Sequence, residues 1–239
     1  MTGVSYDDLW SGTWNDTTRY GPACRHRRRI VAKLVLRLPH QTICDLGCGD
    51  GRLLSELSRK TSAALFGADV SATAVEQAGK NVPDASFRQM DLQAGTMDRN
   101  YDVVIMSEVL EHIEHDTAAL KAIAPHTRHI VISVPGGAED KVDRQYGHYR
   151  NYHHDSLIKV MNEGGFDVIF YRRWGFPFHE ILQFIMSRGQ DGKEVQDGAY
   201  TRLKIIIANI LYGIFFLNVL PMGRQVFAVG RSREYSGNT

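Results

Sequence analysis

The feature that most constrains the fold is a glycine-rich turn between a short apolar segment and a helical one. The residues TIC run into the turn DLGCGDG, which spans 45–51, and the amphipathic segment RLLSELSRK follows. Glycines permit a tight turn and let the backbone approach a ligand closely, and three of them in five residues exceed what a structural turn needs. A strand–turn–helix unit of this kind lies where open α/β sheets bind their ligands.

The rest of the chain alternates between strand-like and helix-like segments. Further strands are predicted at ALFGADVS, ASFRQMDL, YDVVIMSEVL, HIVISVP, FDVIFYRRW and RQVFAVG, and helices at SATAVEQAGKNV, DTAALKAIA and SLIKVMNEGGF. This alternation predicts an α/β fold with a mainly parallel, doubly wound sheet covered on both faces. A length of 239 residues with 43% hydrophobic content fits one domain, 1–239, in which 1–40 form an N-terminal helical cap.

The spacing of the turn selects the class of ligand. The pattern is GxGxG, and Arg52 stands where a dinucleotide fingerprint has its third glycine; the polyphosphate motif GxxxxGK[ST] does not occur. The carboxylate of Asp45 beside the turn disfavours a polyphosphate and suits an ammonium group. The turn therefore favours an amino-acid-bearing nucleoside.

Two more acids end successive predicted strands. Asp69, 18 residues after Gly51, ends the second strand, where a carboxylate accepts hydrogen bonds from the hydroxyls of a ribose. Asp91 follows the third strand beside Met90, a pair suited to an adenine amino group and the face of its ring. Three acids at successive strand ends predict a single nucleoside site.

With these residues in place, the chain resembles the class I S-adenosylmethionine-dependent methyltransferases over about 40–174 and again over 224–230. The resemblance implies a seven-stranded sheet whose last strand is antiparallel, and S-adenosylhomocysteine as the product. It implies that the cofactor is held by Asp45, Gly47, Gly49 and Gly51 at the methionine part, by Asp69 and the adjacent Val70 at the ribose, by Met90 and Asp91 at the adenine, and by Glu108 near the sulfonium.

Two segments are candidates for acceptor chemistry. SEVLEH, with Glu111 and His112, resembles a segment of many small-molecule methyltransferases, including ubiquinone-pathway O-methyltransferases. GHYRNY, with His148, resembles a loop of bacterial methyltransferases of cell-envelope and natural-product pathways. We predict that these three residues are catalytic, with a histidine as the base. The alternatives are a helix start at the surface and packing of an aromatic loop.

The second segment holds further candidates. Tyr149 and Arg150 are candidates for acceptor contact, and Tyr146 and Tyr152 for lining the pocket. Cys44 and Cys48, which are separated by three residues and lie on a strand and a turn, have poor geometry for zinc.

A divalent metal is an open alternative. Glu108, Glu111, His112 and His148 offer two carboxylates and two imidazoles, a set that binds a cation able to hold a hydroxyl acceptor. This arrangement resembles that of small-RNA 2′-O-methyltransferases and of some ubiquinone-pathway enzymes.

These observations favour an enzyme that methylates a small-molecule acceptor, most readily at oxygen. The alternatives are a metal-assisted RNA 2′-O-methyltransferase and a catalytically silent S-adenosylmethionine-binding regulator. A net charge of +1 gives no global attraction for nucleic acid. The basic run 25–29 is interpreted as a solvated helix end or as a contact to an anion. Three cysteines and no apparent signal peptide indicate a cytoplasmic location.

Residues 175–223 form an insertion before the last strand. They contain the polar loop SRGQDGKEVQDG and the run 205–220, in which thirteen of sixteen residues are hydrophobic. That run is shorter than the roughly 20 residues of a membrane-spanning helix. We expect an acceptor lid or an apolar interface, buried against the domain or in a homodimer. Peripheral contact with an anionic membrane is the second interpretation, because Arg202, Lys204 and Arg224 flank the run.

Overall fold

A computed structural model describes residues 6–12, 14–93, 97–137, 143, 147–188 and 200–237. The strands are β1 (Thr42–Leu46), β2 (Ala64–Asp69), β3 (Ser86–Gln89), β4 (Tyr101–Ser107), β5 (Thr127–Pro135), β6 (Phe166–Trp174) and β7 (Gln225–Ser232). They form one sheet in the order β3-β2-β1-β4-β5-β7-β6. All pairings from β3 to β5 are parallel, and β7 pairs antiparallel with β5 and β6. The predicted seven-stranded sheet with an antiparallel last strand is confirmed.

Helices cover both faces of this sheet. They are α1 (Tyr6–Ser11), α2 (Trp14–Tyr20), α3 (Pro22–Val35), α4 (Arg52–Ser58), α5 (Ala72–Asn81), α6 (Asp116–Ile123), α7 (His154–Glu163), α8 (Phe178–Arg188) and α9 (Arg202–Ile214), with 3₁₀ turns at Leu110–His112, Ala124–His126 and Phe215–Leu217. Leu120 of α6 and Met161 of α7 belong to the core on one face, and Val35 of α3 and Leu54 of α4 to the core on the other. Each is fully buried.

The strand order places the site. The chain runs outward from β1 to β3 on one side and restarts at β4 on the other, so the order reverses between β1 and β4. Ligands of open α/β sheets bind in the crevice outside the carboxyl ends of the strands at such a reversal. The glycine turn follows β1 at this point.

Helix α1 covers the glycine turn. The indole of Trp10 lies so close to Gly49 that a Cβ added there would stand 2.4 Å from the ring. Asp7 fastens the helix to the start of α5, because its carboxylate accepts hydrogen bonds from the Ser71 hydroxyl at 2.5 Å and the Thr73 amide at 3.1 Å. Helix α1 thus caps the glycine turn at the carboxyl edge of the sheet.

The insertion comprises α8, α9 and the 3₁₀ turn that ends at Leu217. Most of the polar loop, 189–199, lies outside the described residues. Ala208 and Phe215 are buried, at 4% and 1% exposure, whereas the outward side of α9 is exposed. The expected burial therefore holds for only one side of the helix. Among the described residues, no helix has the length and hydrophobicity to cross a membrane.

Candidate active site

One large cavity opens at the carboxyl ends of β1, β2 and β4 and extends to α8 and α9. Its volume is about 1630 Å³, which exceeds the roughly 300–1,000 Å³ of a typical drug-sized ligand site. Of the sequence-predicted site residues, Asp45, Gly47, Gly49, Asp69, Val70, Met90, Asp91, Glu108, Glu111, His112 and His148 line it. The cavity therefore has room for a cofactor and an acceptor.

The glycines of the turn serve different purposes. Gly47 has φ +74°, and a Cβ there would lie 2.3 Å from the Val109 side chain. Gly49 has φ +54° and lies under Trp10. Gly51, predicted to hold cofactor, is not among the cavity-lining residues. It begins α4 in the left-handed conformation, and a Cβ there would stand 3.1 Å from Ala78, so it permits close packing of α5.

Asp69 ties the end of β2 to the turn. Its Oδ2 accepts a hydrogen bond from the Gly49 amide at 2.8 Å, and its Oδ1 accepts one from the Ser71 amide at 2.9 Å. Burial raises the pKa of this carboxyl group, against the lowering effect of these amides. An ionised carboxylate has about four acceptor sites, so capacity remains for hydroxyl groups of a ligand.

Asp45 is a buried acid with an unpaired oxygen at the end of β1. Its side chain is 2% exposed, and Oδ1 has no hydrogen-bond partner in the described parts of the chain. Burial, followed by the charge of Asp69, raises its pKa to about 8. A buried carboxylate without a counterion is costly, so this position suits a cationic group of a ligand.

The third acidic position combines apolar surface with a polar edge. Met90 is buried at 9% exposure, and Val70 is 42% exposed within the cavity lining. Asp91 is exposed, and its Oδ1 accepts a hydrogen bond from the Gln93 amide at 2.9 Å. This pattern fits a flat heteroaromatic ring with a polar rim.

Glu108 occupies a strained position at the end of β4. It is the one non-glycine residue with positive φ, 58°, in the described ranges, and such strain costs about 1–3 kcal/mol and clusters at functional sites. Its Oε2 pairs with Arg27 Nη1 at 3.1 Å, and its Oε1 accepts from Gln225 Nε2 at 2.9 Å.

Sequence reasoning missed Arg27 because it lies in a run of basic residues that suggested a solvated helix end. The spacing between Arg27 and the apolar residues of the same helix does indicate its orientation. Arg27 lies four residues before Val31, and Val31 and Leu34 are buried on α3. It therefore belongs to the inward side of that helix.

The three predicted catalytic residues meet on one wall. Glu111 is fully buried, and neither carboxyl oxygen has a hydrogen-bond partner among the described residues. Burial, then the charge of Glu108, raises its pKa well above the usual range. The ring centroids of His112 and His148 lie 4.6 Å apart. One potential ligand atom from each of the three residues lies within 4.8 Å of the others.

The two histidines have different neighbours. His112 Nδ1 lies 3.2 Å from the Tyr6 hydroxyl of the cap, and burial, then the neighbouring His148, lowers its pKa to about 4. His148 Nδ1 lies 3.7 Å from a carboxylate oxygen of Asp143. Tyr6 and Asp143 also line the cavity and were not predicted from the sequence.

Three of the remaining loop candidates, Tyr149, Arg150 and Tyr152, do not line the cavity. Arg150 pairs with Asp116 at 2.6 Å, and the hydroxyl of Tyr152, a fully buried side chain, donates to Asp116 at 2.7 Å. Tyr149 donates its amide to the Glu111 carbonyl at 2.8 Å. These residues anchor the loop that carries His148. Tyr146 lies outside the described residues.

The far arm of the cavity is formed by the insertion. His179 and Leu182 of α8 and Ile207, Ala208 and Leu211 of α9 line it. The sequence predicted a lid in this region without identifying these residues. Leu182, Ile207, Ala208 and Leu211 make this arm more apolar than the acidic cofactor end, and His179, Gln183 and Lys204 add polar groups to it.

Known proteins are similar to this chain in sequence and in fold. A family model described as a methyltransferase domain matches residues 23–176. The indolepyruvate C-methyltransferase of Streptomyces griseus is 34% identical over 117 residues, 43% of this chain and 36% of that protein. The ubiquinone biosynthesis O-methyltransferase of Nitrosomonas europaea is 28% identical over 104 residues, 41% of this chain and 44% of that protein. The chain thus spans less than half the length of these curated relatives.

A solved structure agrees over a longer stretch. The N-methyltransferase NodS from Bradyrhizobium japonicum in complex with S-adenosylhomocysteine matches with a TM-score of 0.59 and 16% identity, covering 90% of this chain and 89% of that one. At this identity the likeness concerns the fold. The three proteins are named as a C-, an O- and an N-methyltransferase. Their names therefore do not identify the atom that this chain methylates.

Proposed function

The chain belongs to the class I S-adenosylmethionine-dependent methyltransferases, and from that membership we propose that it methylates an oxygen atom of a small organic acceptor. The observation that carries the proposal is the shared cavity. It combines acids at the ends of β1 and β2 with the histidines His112 and His148 in the same cavity. Cofactor and acceptor thus have adjoining places.

Each part of the cofactor has a matching group in the cavity. The unpaired buried oxygen of Asp45 suits the methionine ammonium, and Arg27, with a buried Nε that lacks a partner among the described residues, suits the methionine carboxylate. Asp69 has acceptor capacity for the ribose, and Met90 with Asp91 suits the adenine. When bound, the cofactor supplies an electrophilic methyl group on a sulfonium.

His148 is the better base of the two histidines. A hydroxyl acceptor must lose its proton as the new bond to carbon forms, and a base in hydrogen-bond reach assists this step. The carboxylate of Asp143 lies 3.7 Å from Nδ1 and so orients the ring. His112 is the poorer base, because its burial depresses its pKa. Its contact with Tyr6 gives it a positioning role between the cap and the acceptor.

A radiolabelled methyl group tests the proposal. The protein is incubated with S-adenosylmethionine labelled in its methyl group and a metabolite extract of the source cells, and the labelled product is identified. An O-methyl product whose formation falls at least about tenfold in His148→Gln, with S-adenosylhomocysteine affinity unchanged, supports the proposal. An N- or C-methyl product contradicts the oxygen assignment, and normal cofactor binding without any transfer favours the silent regulator.

A divalent cation at Glu111, His112 and His148 is a second proposal, favoured by the closeness of their ligand atoms and the unpaired oxygens of Glu111. Glu108, predicted as a fourth ligand, pairs with Arg27 instead. Bound there, the ion would act as a Lewis acid toward a hydroxyl acceptor. Calorimetric titration with Mn²⁺ should show binding that Glu111→Gln abolishes. Equal Mn²⁺ affinity in the variant and the wild type contradicts this site.

A further inference from the structure

The insertion has an apolar face that the described parts of the chain leave uncovered. On α9 the outward stripe consists of Leu203, Ile206 and Ile210, which are 67%, 56% and 58% exposed. Beyond the helix, Leu217 and Val219 continue it at 58% and 67%. We call these five residues the α9 face. Contiguous exposed apolar surface of this kind marks a site of contact with a partner or a membrane.

Cations border the α9 face. The guanidinium of Arg25 lies 3.8 Å from the centroid of the Tyr212 ring, and that of Arg29 lies 4.5 Å from the centroid of Phe216. These stacked contacts hold two positive charges beside the apolar stripe. The segment 200–232 contains no aspartate or glutamate. The border is therefore basic on the side of α3 as well as on the insertion.

The start of α9 has its charges reversed relative to what a helix prefers. Arg202 and Lys204 lie in the first turn, which contains no acidic residue. The helix macrodipole favours negative charge at that end. Both cations are exposed, and an external anionic surface would offset this unfavourable placement.

We propose that the α9 face docks on a membrane surface that contains anionic lipids, with α9 parallel to the plane of the headgroups. An interfacial helix of this kind buries aliphatic side chains at the acyl boundary while basic residues contact anionic headgroups. The stripe on the helix is leucine and isoleucine, and the arginines stacked on Tyr212 and Phe216 flank it. With thirteen residues, α9 is too short to span a membrane, which agrees with a position on the membrane surface.

Docking in this orientation has a geometric consequence. Ala208 and Leu211, on the inward side of the same helix, line the far arm of the cavity. The apolar arm would then lie directly behind the membrane contact. The docking itself does not depend on the proposed methyl transfer, and it is tested without turnover.

Vesicle flotation tests the proposal. The full chain is mixed with vesicles of phosphatidylcholine alone, or of phosphatidylcholine with an equal amount of phosphatidylglycerol, and the floating fraction is measured at low and high salt. We expect binding to the anionic vesicles, with an affinity at least about tenfold higher than for phosphatidylcholine alone and reduced by salt.

Two double variants separate the apolar and the electrostatic contributions. Ile206→Asp with Ile210→Asp should weaken binding at least about tenfold by placing charge in the stripe. Arg25→Glu with Arg202→Glu should weaken it similarly on anionic vesicles only. Ile169→Asp, at a 50% exposed isoleucine of the edge strand β6, and Lys121→Glu with Lys159→Glu, on α6 and α7, are matched controls that should bind like wild type.

Folding is checked in every variant by S-adenosylhomocysteine titration and thermal unfolding. No flotation of the wild type with anionic vesicles would overturn the proposal. Equal flotation of the wild type and the Ile206→Asp, Ile210→Asp variant would also overturn it. If light scattering instead shows a dimer that this variant dissociates, without vesicle binding, a second copy covers the face and the proposal is wrong.

Discussion

At the scale of single residues, Asp69 has a double role. Its two oxygens hold the amides of Gly49 and Ser71, and the same carboxylate faces the cavity. A residue of this kind shapes the ligand site and also contacts the ligand. Its substitution should therefore cost more affinity than the loss of a single ligand contact.

Asp69→Ala should weaken S-adenosylhomocysteine binding by at least about tenfold, since hydrogen bonds to a charged group contribute about 1.5–3 kcal/mol each. Titration calorimetry measures this. Asp84→Ala, at an exposed loop position outside the cavity, is the matched control and should leave the affinity unchanged. An Asp69→Ala variant with wild-type affinity and a wild-type circular dichroism spectrum would contradict the ribose assignment.

Asp45 makes the stability of the free protein depend on pH. Its pKa is about 8 when folded, against an ordinary value of 3.8, so between these values the folded state retains a proton that the unfolded state has lost. Stability from this group therefore falls as the pH rises through this window. Asp45→Asn removes the effect.

Without ligand, the free energy of unfolding of Asp45→Asn relative to wild type should be higher at about pH 9 than at about pH 5, by at least about 1 kcal/mol. Urea denaturation at both pH values measures the difference. The same variant should bind S-adenosylhomocysteine more weakly, because the ammonium loses its counterion. An offset that does not change with pH would show that Asp45 ionises normally.

The cavity residues that could be predicted from the sequence are those whose position depends on local spacing. Gly47, Gly49 and Asp69 follow directly from the ends of predicted strands. Tyr6 did not emerge because it reaches the cavity from a helix far away in the chain, and Arg27 did not because its basic run suggested a solvated helix end. Their contacts with His112 and Glu108 depend on how the cap docks, which local periodicity does not encode.

At the scale of elements, the cap helix α1 lies over the cofactor end of the cavity. Trp10 is 8% exposed, stacks on Trp14 with ring centroids 5.6 Å apart and lies over Gly49. A helix of six residues has little stability of its own. Its position therefore depends on such contacts, and loosening it should open the site.

Trp10→Ala should accelerate S-adenosylhomocysteine dissociation by about tenfold or more. Truncating a buried tryptophan costs several kcal/mol, and here the loss weakens the packing of α1 on the domain. Stopped-flow fluorescence of a labelled cofactor analogue measures the rate. Leu9→Ala on the same helix, outside the cavity lining, is the control. Hydrogen exchange in β4 and β5 should stay at the wild-type level; general loss of protection there would mean that the variant unfolds globally.

The insertion shows where element-level prediction ends. The apolar run predicted a helix, and α9 with its 3₁₀ turn covers 202–217. The run is apolar nearly all round, so its composition did not reveal which side faces the domain. The burial of Phe215 in one core cluster with Val31 of α3 and Phe227 of β7 decides this, and only the tertiary structure contains that information.

At the scale of the whole molecule, a net charge of +1 conceals two distinct regions. The cofactor end of the cavity contains Asp45, Asp69 and Asp91, whereas α3 and the segment 200–232 contain basic residues and no acid. The fold was predictable as a whole because each strand–helix unit repeats one pattern. The separation of charge was not, since it arises when distant segments come together.

The cavity joins these two regions, and this arrangement yields a last prediction. Ala208→Phe adds a ring where α9 faces the far arm, and so it should exclude a bulky acceptor. The affinity for S-adenosylhomocysteine should stay within about twofold of wild type, because a substitution far from the cofactor end does not couple to it. Calorimetry gives the affinity, and transfer of labelled methyl to the acceptor pool gives turnover. Ile210→Phe, on the outward side of the same helix, is the matched control and should retain turnover. If Ala208→Phe turns over normally, the acceptor does not occupy the arm; if it loses cofactor affinity as well, the two ends of the cavity are not independent.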